Sequence, residues 1–114
     1  MSLIYADRVQ ETTATTGTAV YALGGAVLGC QTFSSALTNG QQCGYAVTDG
    51  MNWEAGIGAY DSVANTLART IITASSNGGA VVSWSAGTKL IWLDQPAAQI
   101  FPMADMIGLA AAYG

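Results

Sequence analysis

The tetrapeptide Asp49-Gly50-Met51-Asn52 separates two stretches, residues 45–48 and 53–60, in which side-chain character alternates with a period of two. That period sends successive side chains to opposite sides of an extended chain, and Asp-Gly supplies the backbone angles that a tight reversal needs. The segment therefore reads as a β-hairpin. In its second arm Trp53, Ala55, Ile57 and Ala59 share one face, and Glu54, Gly56, Gly58 and Tyr60 share the other. Two glycines on one side predict a smooth groove or a place where another backbone comes close.

The same texture recurs along the chain, with short alternating stretches punctuated by Gly, Asn, Asp and Ser. Residues 3–10 form the first candidate strand, with Ile4, Ala6, Arg8 and Gln10 on one face and Tyr5, Asp7 and Val9 on the other. The threonine-rich residues 12–18 suit an exposed edge strand or a loop. Further strands are predicted over 20–23, 67–74, 80–85 and 89–93, with a turn at Ser75-Ser76-Asn77-Gly78-Gly79. Between residues 32 and 37 a capping hydroxyl precedes a brief apolar pattern, which predicts one or two helical turns. The fold class expected is all-β, a small antiparallel β-sandwich or barrel of about seven strands.

After Gln95-Pro96 the texture changes: residues 103–113 are rich in Met, Ala and Leu, and Pro102 suits a first helical position. The expected organisation is a β-rich module over 1–96 and a short C-terminal helix or arm over 97–114. The arm carries Ile100, Phe101, Met103, Met106, Ile107, Leu109 and Tyr113, apolar side chains that have to be buried against something.

Composition narrows the function classes. The chain has 114 residues, enough for one domain, and 9% of them are charged, against about 25% in ordinary soluble domains. Its ten aromatics and two prolines do not fit a disordered chain. With a net charge of −4 and Arg8, Arg69 and Lys89 scattered singly, nucleic acid is not an expected partner. The N-terminal residues lack a secretory pattern, and 97–113 is too interrupted for a membrane span, so no membrane association is expected. Cys30 and Cys43 could pair, but with no secretion signal to put them in an oxidising compartment they read as free, mostly buried thiols.

The catalytic inventory is thin: no histidine, one lysine, two cysteines. Asp49 and Glu54 could act as paired carboxylates or oxygen ligands, but they also read as a turn residue and a solvent-facing strand residue. Cys30 and Cys43 lack the spacing and histidine partners of a zinc site. Gly24-Gly25 and Asn77-Gly78-Gly79 lack the residues of a phosphate loop. No enzyme activity, cofactor or metal is expected. Trp53, Trp84 and Trp92 read as core residues. Arg8 and Arg69 read either as partners of Asp7, Glu11, Glu54 or Asp61, or as solvated strand residues.

Several strings, in order, carry a resemblance: Asp7-Arg8-Val9-Gln10-Glu11-Thr12-Thr13, Gly24-Gly25-Ala26-Val27-Leu28-Gly29, Gln31-Thr32-Phe33, Gly50 through Gly58, Leu67-Ala68-Arg69-Thr70 and Ser75 through Gly79. Together they resemble a small module of tailed-bacteriophage virion proteins, found in head- and tail-attached fibres and related particle proteins. The resemblance implies a non-enzymatic subunit of the virion, assembled in the bacterial host cytoplasm, that decorates the capsid or adapts a tail fibre. The partners then expected are other copies, most simply a homotrimer, and capsid or tail proteins. The contact residues expected are Tyr5, Arg8 and Val9 in the first strand and Ile100, Phe101, Met103, Met106, Ile107 and Leu109 in the tail. The alternative is a host-receptor or glycan-binding module using Asn52, Trp53, Glu54 and Tyr60.

Overall fold

The structure, a computed structural model, describes residues 2–97. Its strands are β1 (Gln10–Thr13), β2 (Tyr21–Ala22), β3 (Gln42–Thr48), β4 (Trp53–Asp61), β5 (Thr66–Leu67), β6 (Ile71–Ser75) and β7 (Lys89–Leu93), with one short helix, α1 (Phe33–Ala36). They form a single antiparallel sheet in the order β1-β7-β3-β4-β5-β2, with β6 also beside β4. The sheet curls into a half-barrel. The all-β expectation of about seven strands holds, as one curled sheet.

The central hairpin is the one predicted. Its ladder runs from Gln42 opposite Ala59 to Thr48 opposite Trp53. The turn is closed by Asp49, whose Oδ1 accepts from the amides of Met51 at 2.9 Å and Asn52 at 2.8 Å, while Gly50 takes a φ of +99°. Those hydrogen bonds, Asn52 first and then Met51, hold the Asp49 carboxyl below its ordinary range.

The glycines of β4 admit backbone. A Cβ on Gly56 would lie 2.2 Å from the Ile71 carbonyl oxygen, and one on Gly58 would lie 2.1 Å from that of Ala68. Residues 68–71 thus press closely against β4, with the Ala68 and Thr70 amides donating to the Ala59 and Ile57 carbonyls. The predicted strand over 67–74 is for this reason split into β5 and β6.

Two other predicted strands differ. Residues 3–8 make no ladder: Arg8 adopts a left-handed φ of +59°, and Gln31 binds the segment instead, its amide donating to the Arg8 carbonyl and its Nε2 to that of Asp7. Leu3 and Val9 make isolated bridges to Gln42 and Gln31, and the ladder begins at Gln10. Residues 80–85 meet another segment of backbone through reciprocal bonds between Trp84 and Gly17, because the Val82 amide is taken by a buried carboxylate. Helix α1 starts where predicted, with the Thr32 hydroxyl accepting from the Ser35 amide. The expected helix or arm, apart from Ala97, lies outside the described residues.

The core fills the concave side, where Tyr21, Phe33, Tyr45, Val47, Leu67 and Ile91 are fully enclosed.

Candidate functional site

Glu54 belongs to the face of β4 that turns into the half-barrel, where it is fully buried. Its Oε2 accepts from Tyr21 Oη at 2.6 Å, Tyr45 Oη at 2.7 Å and Arg69 Nε at 2.9 Å. Its Oε1 accepts from the Val82 amide at 2.9 Å and pairs closely with Arg69 Nη2. Burial by itself would raise the Glu54 pKa, but the bonds from Arg69, Tyr21, Val82 and Tyr45 outweigh it and hold the carboxyl below its usual range. Five donors meeting two oxygens leave nothing to offer a substrate. The solvent-facing reading of Glu54 is therefore corrected.

Arg69 extends the cluster to the loops. It donates to the carbonyls of Gly17, Ala19 and Val82 and lies 4.8 Å from the centre of the Tyr21 ring. Trp84 Nε1 donates to Tyr21 Oη at 2.9 Å. Burial first, and then the hydrogen bond to Glu54, push both tyrosines well above the ordinary phenol value. The result is a structural knot joining residues 17–21, 45, 54, 69 and 82–84.

Two more charges are buried on the concave side. Lys89 Nζ donates to the carbonyls of Thr15 at 2.8 Å, Ser85 at 2.5 Å and Gly87 at 2.7 Å. Glu11 accepts from the amides of Gly25 and Phe33. In each case a side-chain charge satisfies loop backbone that has no ladder partner.

The convex side is the reverse. Strand pairing aligns Trp92, Ala46, Ala55 and Ala74 in one row, Leu90, Thr48 and Trp53 in a second, and Gly44, Ile57 and Ile71 in a third. Gln10 and Thr12 of β1 extend the first two rows. None of these positions is charged. Trp53, Ile71 and Leu90 are 45%, 44% and 38% exposed, although a sheet face turned to water is ordinarily polar. Glu11, Glu54 and Lys89 point into the half-barrel, whereas these convex rows are uncharged and partly apolar. This face is the candidate site.

The predicted residues divide. Tyr5 and Arg8 are exposed, and Arg8 donates to the Gly29 carbonyl at 3.2 Å. Val9 is buried in the core. Of the glycan set, Asn52 and Trp53 face solvent, whereas Glu54 and Tyr60 are buried. Arg69 finds Glu54, one of the partners expected for it. Trp84 is core, Trp53 is exposed and Trp92 is half-buried. Cys30 and Cys43 are free, with Cys43 buried and its thiol pushed up to about 12 by burial. Ile100, Phe101, Met103, Met106, Ile107 and Leu109 lie outside the described residues. Ile71, Leu90 and Trp92 were missed as surface candidates, since their shared face is defined only by pairing between distant strands.

No family model, curated protein or solved structure matches the chain.

Proposed function

We propose that the protein is a non-enzymatic structural subunit that works by being built into a larger particle through its convex sheet face. The observation that carries this reading is the row of uncharged positions across five strands with Trp53, Ile71 and Leu90 left open to water. Exposed contiguous apolar surface costs free energy unless a neighbour covers it, and such surfaces mark interaction sites. A tailed-phage virion, as capsid decoration or fibre adaptor, is the setting we assign, on the resemblance of the ordered strings between residues 7 and 79. Self-association, in the simplest case as a trimer, buries equivalent faces around a symmetry axis.

The test is the solution mass. Light scattering on the intact chain is expected to give an oligomer, and Trp53→Asp with Leu90→Asp to give a monomer of unchanged near-UV circular dichroism. An intact chain that stays monomeric at micromolar concentration overturns the self-association.

A further inference from the structure

Leu28, Met51 and Val63 lie outside the convex rows and stand almost wholly in water. Each sits in a turn, and their neighbours differ in charge. Met51 and Val63 are held by carboxylates, their amides donating to Asp49 Oδ1 and Asp61 Oδ1, each at 2.9 Å. Leu28, 98% exposed, is flanked instead by a cation, since Arg8 Nη2 donates to the carbonyl of the next residue, Gly29, at 3.2 Å. Its turn is firmly set: the Cys30 amide donates to the Val27 carbonyl and the Val27 amide to that of Gln10, both at 2.9 Å, while Gly29 takes a φ of +84°. A backbone already fixed in this way has little ordering left to lose on binding. The Leu28 loop runs along the outer edge of β1, bridged to it where Glu11 meets Ala26 and next to it where Val9 meets Gln31. On the far side of β7 and β3, Trp53, Ala55, Thr73 and Ala74 line a hollow of about 300 Å³ whose one charged lining residue is the exposed Asp94. Among the described residues the one ion pair is that of Arg69 with Glu54, so neither Arg8 nor Asp94 has an ionic partner there.

We infer that copies of this chain join head to tail, Leu28 of one copy seating in the hollow between β4 and β6 of the next and Arg8 meeting Asp94 at its rim. The inference rests on the reading of the convex face as an assembly surface, and it names what meets that face. A ring needs two unlike surfaces, because a face that meets its own copy yields only two-fold pairs. The apolar tip on the β1 edge and the hollow several strands away are such a pair. Charge selects Leu28 over the other two tips, since Met51 or Val63 would bring a carboxylate up to Asp94. A single exposed ion pair at the rim sets register more than strength, and the apolar contact supplies the affinity.

The experiment uses the full chain with Leu28→Asp, a change at a side chain that makes no packing contact the fold depends on. Light scattering is expected to give a monomer at concentrations where the intact chain is an oligomer. A Leu28→Asp variant of unchanged mass overturns the inference and leaves the convex-face reading to Trp53→Asp with Leu90→Asp, whereas an intact chain that is itself monomeric removes the assembly reading and this contact together. Unlike surfaces also predict complementation. Thr73→Trp fills the hollow, and, once near-UV circular dichroism shows it folded, it is expected to be monomeric alone and to form a heterodimer when mixed with Leu28→Asp, through the one hollow and the one Leu28 left intact. A mixture that stays monomeric overturns the inference. Charge exchange tests the register: Arg8→Asp and Asp94→Arg are each expected to weaken association about fivefold, and the double variant to restore it. A double variant no tighter than either single one overturns the pairing.

Discussion

Glu54 is the residue on which most of the interior converges. Replacing it by Gln leaves the Arg69 guanidinium buried without its counter-charge, a defect that costs about 3–5 kcal/mol when a buried pair is broken on one side. Urea unfolding of Glu54→Gln at neutral pH is expected to show a loss of that order. The pH dependence follows from the same contacts. A carboxyl held below its unfolded value contributes stability above the unfolded pKa of about 4.3, and that contribution is lost as pH falls through the lower folded value. Tyr21 and Tyr45 act in the opposite sense: their raised values contribute stability below about pH 10 that is lost as pH rises beyond it. The intact protein is thus expected to lose stability at both extremes, and Tyr45→Phe to weaken the alkaline loss, as read by unfolding at stepped pH. The thiols differ in accessibility. Native protein is expected to react rapidly with a thiol reagent at Cys30 and slowly at Cys43, with both reacting at once in denaturant.

At the scale of elements, β4 is organised by the backbone that presses against its glycines. Gly58 admits the Ala68 carbonyl, so Gly58→Ala forces two backbones apart and is expected to destabilise the fold by about 1–3 kcal/mol, measured by thermal or urea unfolding. The hairpin and the α1 cap were legible in the sequence because the signals are local: Asp49 binds amides two and three residues on, and Thr32 binds one three residues on. The close backbone approach at Gly56 and Gly58 was legible as well. Residues 3–8 and 80–85 misled for a non-local reason. Alternation states that a segment can be extended, but the partners of residues 7 and 8 come from Gln31, and the partner of the Val82 amide is a carboxylate 28 positions away. Extended backbone becomes a strand only where a neighbour offers a free ladder.

On the scale of the whole molecule, the uncharged rows of the convex face decide behaviour. Because the paired rows of the convex face hold no charge and only Arg8 and Asp94 border them, association through these rows is expected to change little over about a tenfold range of ionic strength, whereas contacts between charged surfaces weaken as salt shortens the screening length. Sedimentation or light scattering at low and high salt checks this, and marked dissociation in high salt would exclude an apolar contact. The sequence by itself determined the class of fold, the central hairpin, the helix start and the scarcity of charge, since these depend on period, turn chemistry and composition within short windows. Only the tertiary structure decided where the few charges went. Glu11, Glu54 and Lys89 sit in strands whose alternation allows either face to point inward, and the choice is made by the loop carbonyls, amides and Arg69 that the folded chain gathers on the concave side. Once those contacts claim one face, Trp53, Ile71 and Leu90 of the other are left facing water.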